Sequence, residues 1–187
     1  MTPRYWPYYC EENVWHLCAD PSIATAERRV LFISNRRRRV AMWGQRASKD
    51  PSQPIAWDYH VVLLVRRQPA AGWEVWDLDG REPGLVSAER WLALSFVHIG
   101  LLPPIYTPHF RLIDADDYLR HLRSDRRHML GEDGRFKQPV PPWPPIQGTP
   151  VAGEDNNLER FVAVEEPGFL GECLDLPGLR RWLGLVV

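Results

Sequence analysis

The chain has 187 residues, 44% of them hydrophobic and 25% charged, with a formal net charge of −1. This composition suits one globular domain, residues 1–187, and gives no global field favouring nucleic acid or an anionic membrane. No apolar run approaches the roughly twenty residues that span a bilayer, so neither a nucleic-acid nor a membrane partner is expected.

Cys10, Cys18 and Cys173 form no CxxC pair and cannot all pair within the chain. With no apolar leader after Met1, a reducing, cytoplasmic setting is expected. Residues 5–9 are an aromatic, proline-broken lead-in. Residues 10–18 then have helical character: Val14, Leu17 and Cys18 share a face, and Glu11 and Glu12 fall in the first turn, where acids suit the helix dipole. No Ser, Thr or Asp stands as N-cap, so Cys10 sits at or just before the helix start and is the candidate for the cap itself.

Residues 30–34 and 40–43 read as two core strands, with Asn35 and the arginine run 36–39 as a solvated hairpin tip. A four-arginine block also fits a nuclear-localisation or nucleic-acid segment; the apolar flanks favour the hairpin. If the run does serve as a signal, the protein is nuclear as well as cytoplasmic. Residues 57–65 read as a buried strand, bounded by Pro54 and Pro69, with His60 at its entry. Residues 73–79 read as its antiparallel partner. If the intervening turn centres between Pro69 and Ala70, His60 faces Asp79 directly and Asp77 diagonally. Moving the centre back one residue puts His60 opposite Asp77. Both registers leave His60 and Asp77 on one face.

Residues 87–96 predict a helix and 110–113 a short strand, and Asp114 caps a helix over 115–124. Residues 131–157 are rich in Pro and Gly. So long a connection is either functional or a wrapping strap, and Phe136, Trp143 and Ile146 give it anchors. A short element at 158–164, a strand at 169–174 and a helix over 178–185 complete the chain. The expected class is α/β in the α+β sense.

A cysteine at a helix start, a histidine at a strand entry and an aspartate on the next strand make a Cys-His-Asp arrangement. A free thiol, with a pKa of about 8.5, is lowered by a helix N-terminus and a neighbouring imidazolium. The thiolate attacks a carbonyl carbon, and the imidazole returns a proton to the departing nitrogen. A carboxylate on the far ring nitrogen fixes the tautomer, and the backbone N–H of Cys10 is a natural oxyanion donor.

Several blocks carry a resemblance: Tyr9-Cys10-Glu11-Glu12-Asn13-Val14-Trp15, Phe32-Ile33-Ser34-Asn35, Trp57-Asp58-Tyr59-His60-Val61, Asp77-Leu78-Asp79, Ser124-Asp125-Arg126-Arg127-His128-Met129 and the prolines around Trp143. In this order they resemble the protein N-terminal glutamine amidohydrolases, the WDYHV family. The resemblance implies a fold related to the papain and transglutaminase cysteine enzymes. It implies hydrolysis of the side-chain amide of an N-terminal glutamine to glutamate, feeding the N-degron route, with Cys10, His60 and Asp77 as the triad. The implied partners are proteins or peptides with N-terminal Gln, met by a monomer without cofactor. Two departures lie beside the triad strands: residues 36–39 are more basic than the family's usual turn, and 80–84 lack its aromatic-proline character.

An N-terminal substrate needs a carboxylate for its α-ammonium, since that charge is costly to bury unpaired. Glu11, Asp58 and Asp125 are the candidates, with Glu12 beside them, and Asn13 and Trp15 are candidates to line the cleft. His16, His98, His109, His121 and His128 lack metal-ligand spacing with any cysteine, so no metal site is assigned. His128 remains a candidate to approach the site. Two other functions fit the residues alone. One is a transglutaminase or peptidase, and the other is a non-catalytic module binding through its aromatic surface and arginine turn.

Overall fold

The computed structural model describes residues 2–151 and 153–185. In chain order the first half contains α1 (Cys10–Cys18), β1 (Glu27–Ser34), β2 (Val40–Met42), β3 (Ile55–Trp57), β4 (His60–Arg66), β5 (Glu74–Trp76), β6 (Leu85–Ser87) and α2 (Ala88–Ser95). The second half contains β7 (His109–Asp114), α3 (Ala115–His121), β8 (Arg123–Ser124), β9 (Ile146–Gln147), α4 (Leu158–Val162), β10 (Glu172–Asp175) and α5 (Leu176–Trp182). The central sheet has six strands in the order β10-β7-β1-β4-β5-β6, and every neighbouring pair is antiparallel. The architecture is therefore mixed α/β, a central antiparallel sheet flanked by helices.

β1 from Val30 to Ser34 and β4 from His60 to Val65 are buried continuously because both sheet faces are covered there. Alternation sorts their side chains. Val30 and Phe32 of β1, with Val61, Leu63 and Val65 of β4, pack against α1, α3 and α4. Leu31, Ile33, Val62 and Leu64 point to the other face, where Trp91 and Leu92 of α2 and Leu179 of α5 meet them. Each fully buried aliphatic or aromatic side chain here contributes roughly 1.5–3 kcal/mol. The β4–β5 ladder sets Leu63 opposite Trp76 and Val65 opposite Glu74. This is the register in which the turn centres between Pro69 and Ala70.

The structure departs from the sequence expectation at several places, among them the strand expected over 73–79, which ends at Trp76 so that Asp77 and Asp79 lie in the turn that follows it. The segments around the arginine turn are not a hairpin: β2 pairs with β3 in a separate two-stranded sheet. Asn35 causes the divergence. Its Oδ1 accepts from the N–H groups of Arg37 and Arg39, and its Nδ2 donates to the carbonyls of Arg39, Ile105 and Thr107. The strand expected over 57–65 is broken at Asp58 and Tyr59, where the Asp58 carboxylate takes the Tyr59 N–H at 2.9 Å. The helix capped by Asp114 stops at His121, because the carbonyls of Arg120, His121 and Leu122 are taken by Thr149, Asn157 and Gly148.

Most of 131–157 lacks regular structure and is strapped to α1. Arg126 grips Glu12 with two bonds of 2.7 and 2.8 Å, and both side chains are buried. Trp143 donates its indole N–H to Glu12 at 2.6 Å, and its carbonyl accepts from Arg126 at 2.8 Å. Trp6 closes the belt with an indole bond to the Pro139 carbonyl at 2.7 Å. Removing one partner of such a pair strands a buried charge. Arg126→Ala is therefore expected to lower unfolding free energy by about 3–5 kcal/mol, read from urea denaturation. A loss below about 1 kcal/mol, the scale of an exposed pair, would show that the pair does not hold the strap.

Candidate active site

Cys10 is the first residue of α1. Tyr9 is the N-cap and offers no side-chain acceptor, so the first N–H groups of the helix have no internal partner. The lead-in is clamped by Asn13, which accepts from the Trp6 N–H and donates to the Trp6 carbonyl, both at 2.8 Å. Tyr8 takes a left-handed φ of 70°, a strained conformation for an aromatic residue of the kind that collects at functional sites. Cys10 and Tyr8 line a cleft of about 560 Å³ together with Arg38, Trp57, Asp58, Tyr59, Asp79 and His128.

The thiol rests against the start of β4. Its Sγ bonds Glu11 Oε2 at 3.9 Å, and the backbone N–H of Val61, one residue beyond His60, donates to it. Burial pushes the thiol well up, the carboxylates of Glu11, Asp79 and Asp58 push it further, and only the Val61 N–H pulls it down. This corrects the expectation of a thiol lowered by helix and imidazolium. The hydrogen bonds among the described residues do not join Sγ to the imidazole, and burial dominates, with the acidic neighbours adding to it.

His60 opens β4, paired with Ile33 of β1. Its ring stacks on Trp57 at 5.3 Å and 12°. Nε2 bonds Asp77 Oδ1 at 2.8 Å, and both side chains are buried. Asp77 follows β5 directly and uses both oxygens: Oδ1 also accepts the Asp79 N–H at 3.1 Å, and Oδ2 accepts from Gln45 at 3.0 Å and Trp91 at 3.3 Å. Burial would raise Asp77, but the charge and hydrogen bond of His60, with Gln45 and Trp91, hold it down at about 2. Burial likewise opposes the imidazolium, and Asp77 outweighs it, so His60 is raised. With Asp77 ionised, Nε2 carries the proton. Nδ1, buried and without a hydrogen-bond partner, is then the free base.

The acidic candidates separate. Asp58 lines the cleft and is exposed. Glu11 is fully buried beneath Cys10, Tyr59 and His128. Glu12 is committed to Arg126. Asp125 is held by Arg127 and by Asn156 at 2.6 Å and is not among the cleft-lining residues. Neither Asn13 nor Trp15 lines the cleft. Asp79 joins without having been assigned there from sequence, and His128, a candidate to approach the site, does line the cleft. Asp79 lines the cleft with Oδ1 fixed by the Tyr5 hydroxyl at 2.5 Å, and the register already pointed to it as the residue facing His60. His128 lies 3.3 Å from the Tyr59 hydroxyl. Among the described residues, no three His, Cys, Asp or Glu side chains converge as a metal ion would require.

A sequence model described as N-terminal glutamine amidase matches residues 5–181. The chain belongs to this amidase family. It is 32% identical over 185 residues to a protein N-terminal glutamine amidohydrolase of Danio rerio, covering 97% of this chain and 89% of the relative. Proteins of the same name from Arabidopsis thaliana and Homo sapiens are each 33% identical, over 86% and 84% of this chain and 75% and 76% of their own lengths.

In this amidase-family chain the His60–Asp77 pair also carries a pH signature. A carboxyl held below its ordinary value of 3.8 contributes stability that is present above about pH 4 and is lost as pH falls through about 2. Asp77→Asn is expected to flatten that part of the stability–pH curve, followed by urea denaturation. An acid limb unchanged in the variant would contradict the ionised Asp77.

Proposed function

We propose that the protein hydrolyses the side-chain amide of an N-terminal glutamine to glutamate, releasing ammonia, with Cys10 as nucleophile, His60 as base and acid, and Asp77 as orienter. The observation that carries this reading is a thiol at a helix start that lines a cleft with the carboxylates of Asp58 and Asp79, together with a buried His60–Asp77 pair whose imidazole stacks on Trp57 of that cleft. The names of the family relatives supply the substrate class.

In the reaction Sγ bonds the amide carbon as the thiol proton passes to the imidazole. Collapse of the tetrahedral intermediate breaks the C–N bond, and the same proton leaves on ammonia. Water then attacks the γ-glutamyl thioester, His60 takes its proton, and the proton returns to sulfur. The free N–H groups at the start of α1, that of Cys10 first, face the developing oxyanion.

Asp79 and Asp58 supply the charge that an α-ammonium needs. Asp79 is the better anchor, because Tyr5 fixes it while Asp58 is exposed. An ammonium seated there offsets two of the carboxylates that keep the thiol protonated, so substrate binding itself favours the thiolate. The helix-borne cysteine beside a strand that opens with histidine, paired with a strand that ends just before the aspartate, supports kinship with the papain and transglutaminase enzymes. A glutamate product fits entry into the N-degron route.

Mass spectrometry of short peptides tests the reading. Conversion of N-terminal Gln to Glu is expected, while internal Gln and N-terminal Asn stay unchanged. Incorporation of an added primary amine would instead indicate a transglutaminase. Asp79→Asn should raise KM for the Gln peptide about tenfold, near 1.4 kcal/mol, with a smaller effect on kcat. An unchanged KM would remove Asp79 from substrate binding.

A further inference from the structure

α1 carries two adjacent, fully buried glutamates in opposite surroundings. Glu12 faces the guanidinium of Arg126 and the indole N–H of Trp143, as an ionised carboxylate requires. Glu11 has no Lys or Arg partner among the described residues. Its Oε2 accepts from the Tyr59 hydroxyl at 2.9 Å and meets the Cys10 thiol at 3.9 Å, and its Oε1 has no hydrogen-bond partner, although His128 Nε2 lies 3.5 Å away. A buried carboxylate without a cation is costly, and the proton-bearing acid is the economical form.

The surrounding groups agree from every side. On α1 itself Glu11 is flanked by Cys10 and by Glu12, whose charge is matched by Arg126. Asp58 and Tyr59 face it from the entry to β4, and His128 from the turn at 127–129. From α3, Tyr118 donates its hydroxyl to the Glu11 carbonyl at 2.9 Å. None of these brings a full positive charge to the carboxyl, since Arg126 is taken and burial keeps His128 low and neutral.

We propose that Glu11 is a positioning residue for the amidase reaction: as a neutral acid it joins Tyr59 and His128 around the Cys10 thiol, and loss of its proton shuts the nucleophile down. The effect on deamidation rests on the function proposed above, whereas the effect on thiol reactivity does not. Burial, opposed by the residue's own backbone N–H and by the Tyr59 hydroxyl and aided by Glu12 and Asp58, moves the Glu11 carboxyl up to about 8. Below that pH the site next to sulfur is uncharged. Above it a negative charge stands beside Sγ and disfavours the thiolate.

The test compares wild type with Glu11→Gln, which keeps an acceptor for Tyr59 but cannot ionise. Alkylation of Cys10 by iodoacetamide is followed against pH by peptide mapping, so that Cys18 and Cys173 are scored separately. Above pH 8 the variant's Cys10 is expected to react several-fold faster than wild type. In parallel, kcat/KM for a Gln-initiated peptide should fall more steeply above that pH in wild type than in the variant, since loss of the substrate's own α-ammonium, with a pKa of about 8, is common to both. Superimposable Cys10 alkylation profiles would overturn the proposal. A shifted alkylation profile in a protein that leaves N-terminal Gln untouched would uphold Glu11 and remove the amidase reading. If Glu11→Gln does not fold, Tyr59→Phe serves. It removes a donor that favours the Glu11 carboxylate, so the alkaline fall should move to higher pH, and an unmoved limb would count against the proposal.

Discussion

The buried bond between His60 and Asp77 is the constraint from which the rest of the site follows. It requires β4 and β5 to pair in one register, because a slip of one residue would send the two side chains to opposite faces. It also requires Asp77 to stay ionised in a buried setting, and four donors make that possible: the imidazole, the Asp79 N–H, Gln45 and the Trp91 indole. Gln45 and Trp91 come from distant parts of the chain, so the link between β2 and β3 and the helix α2 serve the His60–Asp77 pair as well as the core. Gly80 packs so closely that an added Cβ would lie 3.2 Å from the Asp77 side chain, which leaves little room for the carboxylate to move.

Cys10 sits in a different electrostatic setting. Asp77 and His60 stabilise each other's charge, whereas Cys10 is surrounded by acids and rests as a thiol. Such a site holds its reactivity back until a cation arrives. Under the function proposed above, an N-terminal substrate brings one, its α-ammonium, to the rim where Asp58 and Asp79 lie. Recognition of the substrate and activation of the nucleophile then draw on the same charges, and a peptide with a blocked N-terminus loses both together.

Much of this was legible in the sequence because it is local or periodic. The helix over Cys10–Cys18 follows from its apolar spacing and first-turn acids, and the buried β4 from its unbroken aliphatic run. The placement of His60 and Asp77 follows from the parity of strand positions alone. What was not legible depends on contacts far apart in sequence. Asn35 diverts the chain from a hairpin by binding carbonyls near residues 105 and 107, and nothing in the Val-Leu-Phe-Ile pattern signals that. Two adjacent glutamates look alike in sequence. They differ only because Arg126 and Trp143, more than a hundred residues later, reach one of them and not the other. His128 enters the cleft for a similar reason, carried there by the turn that follows Arg126.

The most direct test is to acid-quench the protein during turnover of a Gln-initiated peptide and map the covalent adduct by mass spectrometry. The account predicts a peptide-minus-ammonia adduct on Cys10, with neither adduct nor glutamate product in Cys10→Ala. Glutamate formation that persists in Cys10→Ala, or an adduct on another residue, would contradict it.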